Sequence, residues 1–347
     1  MNCDLDPWYL ENLICPVDGQ PLRHAGAFLI GASGTRYPIV EGLPVMLRAD
    51  VKETIGIAKT SLQIAMRVAN DEHCDASHLY LETIGVTEAE REIVRDLYRT
   101  GAAIDPVASV LIGATSGYSY KHLIGKGADY AIPAFRFPQL RKGTLLDIGC
   151  NWGRWTVAAT LAGYDVIGID PSLGAVLAAR RVAKQLGLST RFVVGDARYL
   201  PFRADSFENA WSYSVLQHFS REDTKASLSE VARVVKKGGT TRIQMANALG
   251  IRSFYHMARR RFSEPRGFDV RYWSPAQLSR TYSAIVGPTR LDADCFLGLG
   301  LQWSDYRRLT GIGKMVLTVS ELMRRVSHYV YPLRWCADSL FCTSTVR

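Results

Sequence analysis

From residue 144 onward the chain alternates two apolar patterns. Short apolar runs at 145–149, 165–170, 191–194 and within 207–215 read as strands. Between them, at 154–162, 173–186 and 223–236, apolar residues recur at helical spacing, and the last helix ends at Gly238-Gly239 before a fifth strand at 240–246. Repeated strand–helix units of this length predict a parallel sheet with helices on both faces, which takes ligands at the carboxyl ends of its strands. Residues 51–140 read as mostly helical. Ile55, Leu62, Ala65, Met66 and Ala69 fall on one helical face, and a second helix follows Thr87, which forms a T-x-x-E capping pattern with Glu90. From Ser109 the pattern turns rich in glycine and tyrosine (Gly113, Gly117, Tyr118, Tyr120, Gly125, Gly127, Tyr130) and reads as a connecting segment running into Ile132-Pro133. Residues 1–50 differ again: apolar pieces at 28–30, 37–40 and 43–47 are cut by glycine and proline, the mark of a small β-rich module. So small a module buries little core alone and is expected to lean on a partner or a second domain.

Composition narrows the class. With 47% hydrophobic and 22% charged residues in 347, the chain is not disordered or of low complexity. Its longest uncharged run, 106–120, is broken by Pro, Gly, Ser and Tyr, so no membrane span is expected. The first residues, MNCDLDPWYL, hold two Asp and no basic stretch, which argues against a secretory signal. Seven scattered cysteines (Cys3, Cys15, Cys74, Cys150, Cys295, Cys336, Cys342) have no metal-ligand spacing, so reduced thiols in a cytoplasmic, metal-free protein are expected. Of the net charge of +9, eight units come from two segments, 247–271 and 303–334. Such arginine-rich patches suit phosphate groups, nucleic acid or an anionic membrane, and equally suit solvated helix faces.

The candidate chemistry centres on Leu145-Leu-Asp147-Ile-Gly149-Cys-Asn151-Trp-Gly153-Arg-Trp, a buried strand that turns tightly into a helix. Glycines there let backbone approach a ligand, and the free N–H groups of a helix start attract negative groups. Asn151 stands where a middle glycine fits, and Asn tolerates left-handed backbone angles. The spacing is not the G-x-G-x-x-G of dinucleotide binders. Asp170 ends the second strand, where a carboxylate can accept both hydroxyls of a ribose; placed before Pro171-Ser172, it also fits a helix cap. Asp196 ends the third strand, where it can meet the exocyclic amine of adenine.

The strings LLDIGCNWGRW, GIDPS, VVGDARYLPF, SFENAWSYSVLQHF and ARVVKKGGTTRIQM resemble the successive motifs of class I S-adenosylmethionine (SAM) dependent methyltransferases. Within these, the chain is similar to the small-molecule branch that includes the ubiquinone and menaquinone biosynthesis enzymes. The resemblance covers about residues 140–246 and implies an α/β fold: a seven-stranded, doubly wound, Rossmann-like sheet with a reversed final strand. The last two strands would be 289–296 and 338–346, preceded by a helix at 274–286. The chain then divides into a β-rich module (1–50), a helical connecting or cap region (51–140) and a methyltransferase domain (141–347) with insertions at 247–272 and 297–336. Carried over by position, Asp147, Gly149, Asn151 and Gly153 would cradle the amino-acid end of SAM, and Asp170 the ribose. Asp196 with Ala197 would hold the adenine, and Ser212 and Tyr213 would run under the methionine. His218, just past the fourth strand, is a candidate base or acceptor-orienter; the simpler reading is a helix-start histidine bonded to backbone. His122 is a further candidate. Tyr118, Tyr120 and Tyr130 either close over the sulfonium or pack between helices.

The string LICPVDGQPL…RYPIVEGLPVML resembles the small zinc-ribbon-like subunit that activates eukaryotic tRNA and rRNA methyltransferases, and its short bacterial relatives. The family's CPxC is here Cys15-Pro16-Val17-Asp18, and one thiol cannot build a tetrahedral zinc site, so a metal-free remnant is expected. The expected acceptor is a small molecule, a lipid-linked compound or a glycan precursor. RNA methylation and non-catalytic SAM binding are the rivals. Nucleic acid is not favoured, since Trp211-Ser-Tyr-Ser stands where a base-methylation motif would be. In 303–334, Met315, Val316, Val319, Leu322, Met323 and Val326 are expected to cover core, with Arg324 and Arg325 wet; an interfacial helix on anionic lipid is the alternative.

Overall fold

Asp6 opens the first helix, α1 (Pro7–Asn12): its carboxylate accepts from the Trp8 amide, and Pro7 supplies a preset φ. The computed structural model describes residues 5–71, 78–115, 118–138, 142–298 and 300–347. Cys3, Cys74, Gly117 and the Tyr118 side chain lie outside the described residues. After α1 come β1 (Arg23–Ala25), β2 (Phe28–Ile30), β3 (Arg36–Val40) and β4 (Leu43–Pro44), paired in that order as an antiparallel sheet. Helices α2 (Gly56–Ala69), α3 (Glu88–Thr100) and α4 (Pro106–Ala114) follow. The Thr87–Glu90 capping box closes at the start of α3 as the sequence predicts. Helix α4 replaces the start of the expected connecting segment. Asp105 caps it through the Ala108 amide, Pro106 sits in its first turn, and Val107 to Gly113 are buried. The Asp-Pro start was a readable signal.

The larger sheet contains β5 (Thr144–Ile148), β6 (Asp165–Asp170), β7 (Arg191–Val194), β8 (Phe207–Ser212), β9 (Val235–Ala246), β10 (Thr289–Cys295) and β11 (Ser339–Thr345). Between them run α5 (Arg154–Leu161), α6 (Leu173–Gln185), α7 (Arg221–Val234), α8 (Ile251–Arg259), α9 (Pro275–Ile285) and α10 (Gly311–Val326). Strand order is β10-β11-β9-β8-β5-β6-β7; only β11 runs against its neighbours, which is the expected reversed final strand. The largest boundary shift is at the start of β9. Helix α7 stops at Val234, and β9 starts immediately, because Val235 pairs with Phe207 and a register shift absorbs the residues before Thr240.

The N-terminal module leans on the outer edge of this sheet. Met46 N donates to Val194 O at 2.7 Å, Ile14 N to Pro201 O at 3.0 Å, and Tyr9 Oη to Phe192 O at 2.8 Å. Strand β7 would otherwise present an unpaired edge. Tyr9, Leu13, Leu29, Tyr37, Ile39 and Met46 lie in one buried cluster with Ile148, Ile167 and Val193. Cys15 Sγ is 3.2 Å from Tyr37 Oη, and it lies so close to Gly31 that a Cβ there would come within 2.9 Å of the sulfur. Among the described residues, no group of three or more His, Cys, Asp or Glu is placed to hold a metal ion. Among them too, no helix is long and apolar enough to cross a membrane.

Helix α10 corrects an expectation. Val316, Leu317 and Met323 pack inward, but Met315, Val319, Leu322 and Val326 are exposed, as is Ile312. Arg324, expected to be wet, instead pairs with buried Glu321. The helix is held by its ion pairs as well as by apolar contacts, so one apolar stripe is left facing outward.

Candidate active site

Gly149 has φ 76° and Gly153 has φ 88°, so the turn after β5 twice enters the left-handed region. Asn151 enters it too, at φ 48°, as its residue type predicts. A Cβ on Gly149 would fall 2.1 Å from Val215 Cγ2, so the turn closes against the loop after β8. Asp147 is fully buried on β5 and accepts from Thr156 Oγ1 at 2.6 Å. Burial, reinforced by the neighbouring Asp170 charge, pushes its carboxyl up to about 7. Asp170 accepts from Asn151 N at 3.0 Å and from Ser172 N at 2.9 Å. Burial pushes it up to about 6 against those two bonds. The cap of α6 is Ser172, whose hydroxyl accepts from Ala175 N, so Asp170 acts as a clamp between two turns rather than as the cap. Among the described residues neither Asp147 nor Asp170 forms an ion pair. The turn thus gathers two buried carboxyls without a cation.

Asp196 is in a different condition. Arg198 grips it through Nε at 3.1 Å and Nη2 at 2.7 Å, and also reaches Asp223 at 2.8 Å and Lys52 O at 2.7 Å. The D-x-R spacing carried that signal in the sequence. Ala197 is buried beside it. Ser212 Oγ donates to Ile148 O at 2.9 Å, tying β8 to β5. Tyr213 donates to Asp294 Oδ2 at 2.6 Å, and its ring packs against Trp155, Trp211 and Phe341.

His218 Nδ1 lies 2.7 Å from Phe268 O, and its ring stacks on the Phe268 ring at 4.0 Å. Burial lowers its pKa, so the imidazole is neutral at physiological pH. Since a carbonyl only accepts, Nδ1 carries the proton, and the Nε2 lone pair accepts from the Gln217 amide nitrogen at 3.4 Å. His122, in contrast, is bonded to Arg308 O at 2.9 Å, away from this mouth. Tyr130 stacks on Trp152 and donates to Gln185, while buried Tyr120 meets Arg154. Both tyrosines pack between elements. Arg154 follows the turn and pairs with Asp305 at 3.1 Å, a contact between 297–336 and α5 that no local pattern announces.

Residues 145–239 match the family model described as "Methyltransferase domain". The N-terminal module is similar to a UPF0434 protein of Caulobacter vibrioides, 41% identical over 56 residues that cover 15% of this chain and 86% of that protein. The chain joins a UPF0434-family module to a methyltransferase domain. That domain is of the SAM-dependent, class I kind, with the β5 turn at its start. It is similar to the demethylmenaquinone methyltransferase of Corynebacterium kroppenstedtii, 36% identical over 95 residues that cover 27% of this chain and 38% of the relative. Among solved structures the chain is similar to the PH0226 protein of Pyrococcus horikoshii, with 16% identity, 60% of this chain and 83% of that one covered, and a TM-score of 0.41. The chain spans about a third of the length of the first curated relatives it matches.

Proposed function

We propose that the chain is an enzyme of the cytoplasm that transfers a methyl group from SAM to a small-molecule, lipid-linked or glycan-precursor acceptor. The observation that carries this reading is the pair of buried, cation-free carboxyls, Asp147 and Asp170, around the Gly149–Asn151–Gly153 turn. SAM brings a sulfonium, an ammonium and a ribose diol, and these residues fit that set: carboxyl acceptors for the diol and the cationic groups, and a glycine-lined turn for close approach. In this reading Gly149, Asn151 and Gly153 cradle the amino-acid end together with Asp147. Asp170 takes the ribose, and Asp196 with Ala197 borders the adenine, its carboxylate held in place by Arg198. Ser212 and Tyr213 form the floor.

Bound SAM supplies an activated methyl, so the protein's part is alignment and exclusion of water, together worth roughly 7–11 kcal/mol. His218 serves as base or acceptor-orienter, with Nε2 taking a proton from a hydroxyl or carbon acid that replaces the long Gln217 contact. The Phe268 ring stacks on it and shields it from water. Methyl-labelled SAM added to a metabolite extract should label a small-molecule fraction. Label confined to RNA, or no transfer at all, would overturn the reading.

The exposed stripe Ile312, Met315, Val319, Leu322 and Val326 favours a second reading for part of the surface, peripheral contact with anionic membrane. Sedimentation with anionic vesicles but not with zwitterionic ones would support it; no sedimentation with either would remove it.

A further inference from the structure

One face of the larger sheet carries charge where its other face carries apolar core. Arg242 on β9 and Asp292 and Asp294 on β10 flank Phe341 on β11, and Arg242 is only 8% exposed. Over them lie Arg136 and Phe137, Arg324 and His328 of the α10 region, and Arg334. Together they line an open cleft of about 610 Å³, within the size range of small-molecule sites.

Its charges do not balance. Glu321 holds Arg136 at 2.9 Å and Arg324 at 3.0 Å, and Asp292 holds Arg242 at 3.4 Å and Arg290 at 3.1 Å. Asp294 is taken up by the hydroxyls of Tyr213 at 2.6 Å and Ser339 at 2.8 Å. Arg334 reaches the carbonyls of Leu291 and Ser327, at 3.3 and 3.4 Å, and lies over the Tyr331 ring, but has no carboxylate partner among the described residues. Five guanidinium groups therefore share three carboxyls, and Arg242 Nε has no hydrogen-bond partner among the described residues. A buried, undercompensated cation costs several kcal/mol unless something else neutralises it. Guanidinium forks match the oxygens of phosphate and carboxylate, and here they stand beside two aromatic rings.

The geometry points to this cleft as a binding site for a small molecule bearing a phosphate or another multiply charged oxyanion, with Arg242, Arg290 and Arg334 as its anion ligands. The Phe137 and Phe341 rings offer a wall for the ligand's apolar part. The inference does not depend on the assignment of the methyl donor. Tyr213 and Asp294 connect the cleft to the loop after β8.

Calorimetry on the full chain, with sodium pyrophosphate and sodium malonate as separate probes at matched ionic strength, tests this. Saturable binding of pyrophosphate is expected for a phosphate site, and of malonate alone for a carboxylate site. Arg334→Gln and Arg290→Gln should each weaken it about tenfold or more, as for loss of a charged hydrogen bond, while SAM affinity stays unchanged. Arg290 is 66% exposed, so that variant should fold even if Arg242→Gln does not. No saturable binding of either anion, or binding indifferent to both surface-side substitutions, would overturn the site.

Discussion

Arg154 and Asp305 form an ion pair at 3.1 Å between the first turn of α5 and a segment about 150 residues later, and Asp305 is fully buried. Arg154 also donates to Ala131 O at 3.0 Å and to Tyr120 Oη at 3.3 Å. The helix start that follows the glycine turn is thereby fixed from two directions, by the segment before β5 and by the insertion after β10. Removing one partner leaves the other charge buried and alone, which costs about 3–5 kcal/mol. Asp305→Ala should therefore lower the denaturant midpoint strongly. The double variant Arg154→Met/Asp305→Leu should recover much of the loss, and failure to recover it would show that the pair matters for more than charge balance.

Five of the seven strands were legible because each run is bounded by its own turn chemistry; the last two were expected only because the resemblance implies them. The turn's backbone was legible too: Asn151 adopts the left-handed angle its side chain suggests. What the sequence did not show is contact across distance. Tyr120 and Tyr130 could not be assigned to ligand or to packing until Arg154 and Trp152 were seen beside them. The outward stripe of α10 has the same helical spacing as an inward one. Periodicity gives a face but not its direction. Arg242 reads as an ordinary strand residue until β10 and β11 bring Asp292 and Phe341 against it.

The two raised carboxyls set a pH dependence for the methyl donor. Asp147 at about 7 and Asp170 at about 6 lie above their unfolded values, so the folded, ligand-free protein holds extra protons from about pH 4 to 7. Their burial therefore weighs against stability above this window, and the penalty is relieved as pH falls through it. A cationic ligand favours the charged carboxylates, so binding should release protons. Calorimetry at pH 6.5 in buffers of different ionisation enthalpy should show that release, and SAM affinity should fall as pH drops below 6. Asp170→Ala should lose roughly 2–5 kcal/mol of SAM affinity, the range for truncating one partner of a buried charged bond. Undiminished SAM binding by that variant, or tighter binding of NADH than of SAM by the parent, would sink the cofactor site.

The N-terminal module makes a separate prediction. Cys15 is the lone thiol where the zinc-ribbon-like activator subunit that the module resembles has CPxC, and its sulfur is spent on Tyr37 and on contact with Gly31. The purified protein should carry no stoichiometric zinc, and a chelator should leave its melting temperature unchanged. Elemental analysis returning about one zinc per chain would show that the module keeps a metal through ligands outside those described.

The arginine segments decide between metabolite and RNA. Arg259 and Arg261 are exposed at the end of α8, while Arg260 is partly spent on Asp269 at 3.5 Å and on Val270 O at 3.3 Å. If they belong to a nucleic-acid track, RNA binding should weaken steeply with salt, each phosphate contact adding roughly 0.7 to the slope for single strands. Six contacts would give a slope of about −4, and Arg259→Glu with Arg261→Glu should flatten it. If the segment instead steers a small anionic acceptor, RNA binding should be weak at physiological salt. The same reversal should then raise the apparent KM for the acceptor and leave SAM affinity unchanged. The second outcome is expected, because this segment also supplies Phe268, the ring stacked on His218, and so borders the mouth where an acceptor would enter. Tight, salt-sensitive RNA binding that the reversal abolishes would transfer the assignment to RNA.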